Sequence, residues 1–132
     1  MAFMGRALTH PHIGDVTVAT VLHALSDPVR LSIVDMLLRT ADGLNCTEMT
    51  LRLKLDMPKS TCSQHYRILR ESGLITSERR GVQLASRVRA TELEERFPGL
   101  LGSILKSYAR EAPRRTRVRA RSKLRGVQPN GQ

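Results

Sequence analysis

Residues 56–73, DMPKSTCSQHYRILRESG, are the most informative stretch of this chain. Pro58 predicts the start of a helix, because proline disfavours helical backbone at the preceding residue and suits the first helical position. Small polar groups occupy the first turns, and Gly73 predicts a left-handed C-cap. Behind the polar groups runs an apolar ridge, formed by Cys62, Ile68 and Leu69. A helix of this kind can place its polar end in a DNA groove.

Helical periodicity and capping signals predict three helices ahead of this stretch, over residues 15–25, 28–39 and 46–55. Asp27 followed by Pro28 is typical of an N-cap and a first helical position. Asn45 with Glu48 three residues later predicts a capping box at the start of the third helix.

The segment after Gly73 predicts a hairpin and then a last helix. Two short strands, residues 74–78 and 82–88, surround a basic tip formed by Arg79, Arg80 and Gly81. Thr91 is expected to cap residues 92–97, and Pro98 to restart the helix. An apolar stripe follows, made of Leu100, Leu101, Ile104, Leu105 and Tyr108. A small domain cannot easily cover such a stripe, so a partner subunit could bury it.

Length and composition indicate one domain with an aliphatic core. The 132 residues include no Trp, two Phe and two Tyr, which favours packed helices over a sheet sandwich. We expect a flexible arm at residues 1–14, a folded domain at 15–112 and a disordered basic tail at 113–132. The predicted fold is mainly helical (α+β), with the order helix, helix, helix, helix, strand, strand, helix.

The formal charge of +10 is concentrated in two segments. Residues 113–132 carry seven bases and no acid, and residues 43–91 carry nine bases against four acids. The second segment surrounds the polar-faced helix, as expected if that helix faces phosphates.

Several classes of protein are disfavoured by the sequence pattern. The N-terminus lacks the apolar run of a signal peptide, and no stretch approaches the roughly 18 residues of a membrane span, so we expect a cytoplasmic protein without a membrane partner. Cys46 and Cys62 are then expected to be reduced thiols. No Gly-rich phosphate loop, carboxylate pair or Ser/His/Asp order stands out, so we do not expect an enzyme.

Two helices joined by a short turn, followed by a basic hairpin, form the pattern of a winged helix-turn-helix. The stretches LHALSDPVRLSIVDMLL and PKSTCSQHYRILRESGLI, together with the hairpin, resemble the ArsR/SmtB family of bacterial transcriptional repressors over about residues 16–110. The resemblance implies a homodimer through the first and last helices. It also implies binding to a palindromic operator on double-stranded DNA and release when an inducer is sensed.

The resemblance also assigns site residues, and the side-chain chemistry agrees with the assignment. The recognition-helix positions are Lys59, Ser60, Thr61, Ser63, Gln64 and Arg67. The wing positions are Arg79, Arg80, Gln83 and Arg87. The expected dimer contacts are Val18 and Leu22 in the first helix and the stripe of the last helix. His65 either touches a phosphate or forms a packed, hydrogen-bonded imidazole.

The chain departs from the family at its sensor sites. Family members bind metals through cysteine pairs on the third helix or through Asp, His and Glu on the last helix. Here the third helix has only Cys46, and residues 92–111 contain no His or Cys. We therefore expect no metal and no cofactor, and the inducer stays unknown.

Three functions remain open at this point. The first is a dimeric, operator-specific repressor, and the second is an architectural protein that coats DNA without sequence preference. The third is a repressor that senses thiol oxidation through Cys46 and Cys62, although a role as core residues is favoured for both cysteines.

Overall fold

The computed structural model describes residues 8–40 and 43–111. The chain divides into one compact unit that ends at Pro98 and a second that begins at Gly99. In the first unit, the described helices and strands are α1 (Val18–Leu25), α2 (Pro28–Leu38), α3 (Cys46–Leu53), α4 (Lys59–Glu71), β1 (Ile75–Arg80), β2 (Gln83–Val88) and α5 (Ala90–Arg96). In the second unit, residues 100–111 form a helix, α6. The order of elements confirms the predicted winged helix-turn-helix fold.

The core of the first unit is aliphatic, as its composition predicted. The largest fully buried apolar side chains are Val21, Ile33, Val34, Leu37, Met49, Leu69, Leu74 and Ile75. They come from α1 to α4, from the first residue of β1 and from the residue before it, so the helix-turn-helix and the hairpin share one core.

Side-chain caps determine where three helices begin. The Asp27 carboxylate accepts hydrogen bonds from two backbone amides of α2, at 2.9 and 3.0 Å, as predicted. Asn45 and Glu48 form both halves of the predicted capping box of α3. The first helix was predicted to start at residue 15 but starts at Val18, because the Thr17 hydroxyl caps it and Ile13–Asp15 form a separate 3-10 turn.

The predicted stop after the recognition helix is confirmed. Gly73 has a φ of 89°, and its amide donates to the Arg70 carbonyl at 3.1 Å. The Leu74 amide donates to the Leu69 carbonyl at 3.0 Å, which completes a Schellman motif. The chain therefore leaves α4 in a fixed direction and enters β1 directly.

The hairpin differs from the prediction at its tip. Arg79 and Arg80 are strand residues paired with Leu84 and Gln83, and the turn is only Gly81 and Val82. Gly81 has a φ of 65°, which fits a two-residue primed turn and lets the ladder run to its end. The sequence pattern also did not predict an isolated β-bridge, in which Leu44 exchanges two backbone hydrogen bonds with Ser86 of β2.

The predicted last helix is two helices. Thr91 was expected to cap residues 92–97, but α5 begins at Ala90 without a side-chain cap. The helix does not restart at Pro98, because residues 97–99 form a turn in which Gly99 has a φ of 78°.

The described end of the predicted N-terminal arm makes specific contacts with the hairpin region. His10 Nε2 accepts a hydrogen bond from the Ser77 amide at 3.0 Å, and Arg89 donates to the Pro11 carbonyl at 2.8 Å. Burial, and then the charges of Arg70 and Arg89, lowers the pKa of His10 and favours the neutral acceptor form. Arg89 is buried and paired with Glu92, so it does not face phosphates as its segment was expected to.

Two further expectations concern the ends of the chain and the membrane. The predicted basic tail, residues 113–132, lies outside the described residues. Within residues 8–40 and 43–111, no helix is both long enough and apolar enough to cross a bilayer.

Replacing Gly73 by Ala should destabilise the domain. Its backbone lies in the left-handed region, which costs an L residue about 1–2 kcal/mol. The added Cβ would also clash with the Val16 side chain. Urea unfolding measures the loss, and Gly14→Ala is the control, because nothing lies within 4 Å of a Cβ there. Equal stabilities of the two variants would contradict this account.

Candidate nucleic-acid interface

The recognition helix, α4, has one polar exposed face and one buried face. Cys62, Tyr66 and Leu69 are buried and hold the helix against the domain. All six non-histidine residues predicted for recognition are exposed, namely Lys59, Ser60, Thr61, Ser63, Gln64 and Arg67. Five of the six line one groove, and Thr61 lies outside it. The structure therefore brings most of the predicted recognition residues together on one surface.

This groove, with a volume of about 630 Å³, runs between α4, the start of α3 and the hairpin. Three cations line it along α4, namely Lys59, Arg67 and Arg70. The hairpin side is formed by uncharged residues, namely Ser77, Val82, Gln83, Leu84 and Ser86. The positive charge of the groove therefore comes from the helix and not from the wing.

The wing residues do not form one cluster. Directly paired strand residues share a face, so Arg80, Gln83 and Arg87 lie on the outer face of the hairpin. Arg79 lies on the opposite face with Leu84. Gln83 also accepts a hydrogen bond from the Asn45 side chain, which joins the wing to the N-cap of α3.

His65 does not belong to the exposed face of α4. Its side chain is only 15% exposed, and Nδ1 lies 3.4 Å from the Arg30 guanidinium and 4.0 Å from the Asp27 carboxylate. The structure thus favours the packed imidazole over the phosphate contact that the sequence also allowed.

Arg30 is a scaffold residue that the sequence analysis missed. It is 8% exposed, and its Nε donates to the Ala24 carbonyl of α1 at 2.7 Å. The same guanidinium reaches His65 of α4. One buried cation therefore connects the end of α1, the start of α2 and the recognition helix. The motif Asp27-Pro28 pointed to the cap, but nothing in the pattern distinguished Arg30 from an exposed arginine.

Tyr66 and Arg70 were also missed, and both line the groove. Arg70 follows Arg67 by one helical turn, a spacing that could have identified it. Tyr66 is 4% exposed, and its hydroxyl has no hydrogen-bond partner among the described residues. Burial raises the pKa of Tyr66, so the hydroxyl stays protonated.

The two cysteines meet where α3 contacts α4. Cys46 Sγ lies 3.8 Å from Ser63 Oγ, and Cys62 Sγ lies 4.0 Å from the Cys46 carbonyl oxygen. A hydrogen bond from the Cys62 thiol lowers the pKa of Cys46 to about 7, with smaller contributions from Ser63, Lys59 and Arg70. The same hydrogen bond, together with burial, raises the pKa of Cys62.

The residues expected at a dimer interface differ in how exposed they are. Val18 and Leu22 of α1 are exposed apolar side chains. In α6, Leu101 is buried, whereas Leu100, Ile104, Leu105 and Tyr108 are partly exposed. Within the described part of the chain, no three His, Cys, Asp or Glu side chains are grouped as metal ligands would be.

Comparisons with known proteins agree with this geometry. A family model for a helix-turn-helix domain matches residues 25–78. HlyU from Vibrio cholerae N16961 is 26% identical, with 69% of this chain and 90% of that chain covered and a TM-score of 0.56. The chain thus contains a helix-turn-helix domain within a winged-helix fold, and these matches support an ArsR-type regulator. The helix-turn-helix match supports a DNA-binding regulator, a class of protein that is not enzymatic.

Two other solved structures share the fold of this regulator. An ArsR-like transcriptional regulator from Rhodococcus sp. RHA1 is 24% identical, with 83% of this chain and 91% of that chain covered and a TM-score of 0.50. HlyU from Vibrio vulnificus CMCP6 is 24% identical, with 68% and 85% covered and a TM-score of 0.52. A comparison with curated protein sequences found no match.

Replacing Arg30 by Met should lower the free energy of unfolding by roughly 1.5–3 kcal/mol, because a buried carbonyl loses a charged donor. The control is Arg39→Met, which removes an exposed ion pair with Asp35 one turn away. Such surface pairs contribute about 0.3–0.5 kcal/mol. Urea unfolding compares the two, and equal small losses would show that Arg30 does not hold the helices together.

Proposed function

We propose that this regulator is a dimeric transcriptional repressor that binds a palindromic operator, with one α4 helix in the major groove of each half-site. The observation that carries the proposal is the exposed polar face of α4, backed by a buried face that fixes its orientation. Repression then requires only that the bound protein occupy promoter DNA. We place this activity in the cytoplasm, where the operator would be accessible.

Base recognition is assigned to the first two turns of α4. Gln64 can pair with the N6 and N7 atoms of adenine, and Lys59 with O6 and N7 of guanine. Ser60 and Ser63 carry hydroxyls that can reach a base or a phosphate. Both flank the cationic groove, so direct readout and phosphate attraction act on the same surface.

Phosphate contacts are assigned to the first amides of α4, to Arg67 and to the outer face of the wing. Pro58 gives α4 no side-chain cap, so the first amides of the helix can bind a phosphate oxygen. Arg67 pairs with Glu71 at 3.3 Å on the exposed face. Such a surface pair is weak, so Arg67 can exchange its partner for a phosphate. Arg80 and Arg87, on the outer face of the wing, can bind the neighbouring backbone.

A dimer is proposed through α1 and α6, using Val18, Leu22 and the apolar stripe of α6. Two-fold symmetry would place the two recognition helices about one turn of DNA apart, roughly 34 Å, as a palindromic operator requires. The assignment of residues 15–112 to a single DNA-binding and dimerisation domain stays a part of this proposal. Sedimentation of the purified protein, free and with operator DNA, measures the stoichiometry.

Gln64→Ala should relax the preference for one base pair in each half-site, at a cost of about 1–3 kcal/mol. Arg80→Ala should instead weaken binding to all sequences alike and lower the salt slope by about 1. Competition between a selected operator and its single-base variants, measured by fluorescence anisotropy, distinguishes the two effects. Arg39→Ala, at the C-cap of α2 and outside the groove, is the matched control.

Two outcomes would contradict the assignments. If Gln64→Ala lost affinity equally for every sequence, direct readout by α4 would be wrong. If the unmodified protein bound scrambled DNA as tightly as its selected operator, the protein would coat DNA without preference, as an architectural protein does.

Removing residues 113–132 should reduce the affinity for operator and scrambled DNA by the same factor. The removed segment carries seven bases, and each phosphate contact contributes roughly 0.9 to the salt slope. A full-length control with these bases replaced by Gln should behave like the truncated chain. An unchanged salt slope would exclude a role for the tail in phosphate binding.

A further inference from the structure

Cys46 and Cys62 form a pair of thiols inside the helix-turn-helix. Cys46 is the first residue of α3, and Cys62 lies in the first turn of α4. The Cys62 Sγ lies 4.0 Å from the Cys46 carbonyl oxygen, within hydrogen-bond range. The two cysteines are therefore in contact, although they are 16 positions apart in the chain.

The two thiols have different environments. Cys62 is fully buried, whereas Cys46 is half-buried and lines the groove with Lys59 and Ser63. Hydrogen bonds from Cys62 and Ser63 lower the pKa of Cys46, and the positive charges of Lys59 and Arg70 act in the same direction. The lowered pKa favours the thiolate of Cys46, which is open to reagents that enter the groove. The hydrogen bond to Cys46, and then burial, raise the pKa of Cys62 and favour its protonated form.

We infer that Cys46 and Cys62 are an oxidation site, at which a peroxide produces an intramolecular disulfide that weakens operator binding. The regulatory part of this inference rests on the proposed function, because it requires that the reduced protein binds an operator. The chemical part rests only on the placement of the two sulfurs.

The reaction proceeds in two balanced steps. The Cys46 thiolate attacks one oxygen of hydrogen peroxide, the O–O bond breaks, and Cys46 becomes a sulfenic acid while hydroxide leaves. The Cys62 sulfur then attacks the sulfenic sulfur, and the thiol proton and the hydroxyl leave together as water. Two electrons pass from the pair of thiols to the peroxide, and the product is one disulfide.

The consequence for DNA follows from the position of the disulfide. A disulfide requires the two sulfurs at about 2.05 Å, with a defined torsion between the two side chains. Forming it draws Cys46 away from Ser63, which lies 3.8 Å from the Cys46 sulfur, and changes how the first turn of α4 packs on α3. Ser63 and Gln64 directly follow Cys62 on the chain, so the groups proposed to contact DNA move with it.

The neighbourhood of the pair favours a reactive site over ordinary core packing. A cysteine that only filled space would need neither an open groove nor a cation beside it. Tyr66 lines the same groove as Cys46, and its hydroxyl has no hydrogen-bond partner among the residues the structure describes. It can donate a hydrogen bond to the oxygen that the sulfenic acid gains.

The test uses the full-length protein with Cys46→Ser and Cys62→Ala as variants. Each is titrated with hydrogen peroxide, and free thiols, linked peptides and affinity for a selected operator are measured. We expect the unmodified protein to form a Cys46–Cys62 peptide and to lose operator affinity by at least about tenfold, comparable to one lost base contact. Dithiothreitol should restore binding. Thermal unfolding verifies that both variants fold.

The variants separate the roles of the two sulfurs. Cys62→Ala should stop at the sulfenic acid, formed more slowly because Cys46 loses the hydrogen bond that lowers its pKa, and dimedone should trap it on Cys46. Cys46→Ser should keep its Cys62 thiol and its affinity. Rapid oxidation of Cys62 in Cys46→Ser, a disulfide between two molecules, or a linked peptide with unchanged affinity would overturn the inference. A reduced protein without any operator preference refutes the proposed function and the regulatory step, while peptide mapping still decides the dithiol chemistry.

Discussion

The burial of one face of α4 is the constraint on which the rest of this structure depends. Cys62, Tyr66 and Leu69 pack into the core, so the opposite face can point only outward. A helix that rotated by one residue would bury a polar group without a partner and expose an apolar one. The orientation of the polar face is therefore a consequence of packing. The buried residues on the opposite face of α4 determine which surface is presented for the proposed DNA contact.

Polar contacts then fix the positions of the helices and the wing relative to one another, which apolar packing alone leaves adjustable. The Arg30 guanidinium binds a carbonyl of α1 and reaches His65 on α4, so the position of the recognition helix is coupled to the first two helices. The link between Asn45 and Gln83 connects the start of α3 to the wing. A buried cation of this kind is costly to leave without partners, which makes its geometry specific.

The groove between α4 and the hairpin combines two kinds of chemistry. Its cations attract phosphate, and the charges of Lys59 and Arg70 also favour the thiolate of Cys46. The arrangement that attracts DNA therefore also raises the reactivity of a sulfur beside the recognition helix. In the proposals made above, DNA binding and thiol oxidation would therefore compete at one surface.

The sequence by itself determined the elements whose causes are local. Capping residues such as Asp27 and Asn45, the C-cap at Gly73 and the polar face of α4 act over one or two turns of chain, so their patterns identify the fold. Only the tertiary structure decided that His65 turns inward, that Arg79 and Arg80 lie on opposite faces, and that Cys46 meets Cys62. These features depend on contacts between distant segments. The periodicity of one helix or strand does not predict which distant segment packs against it.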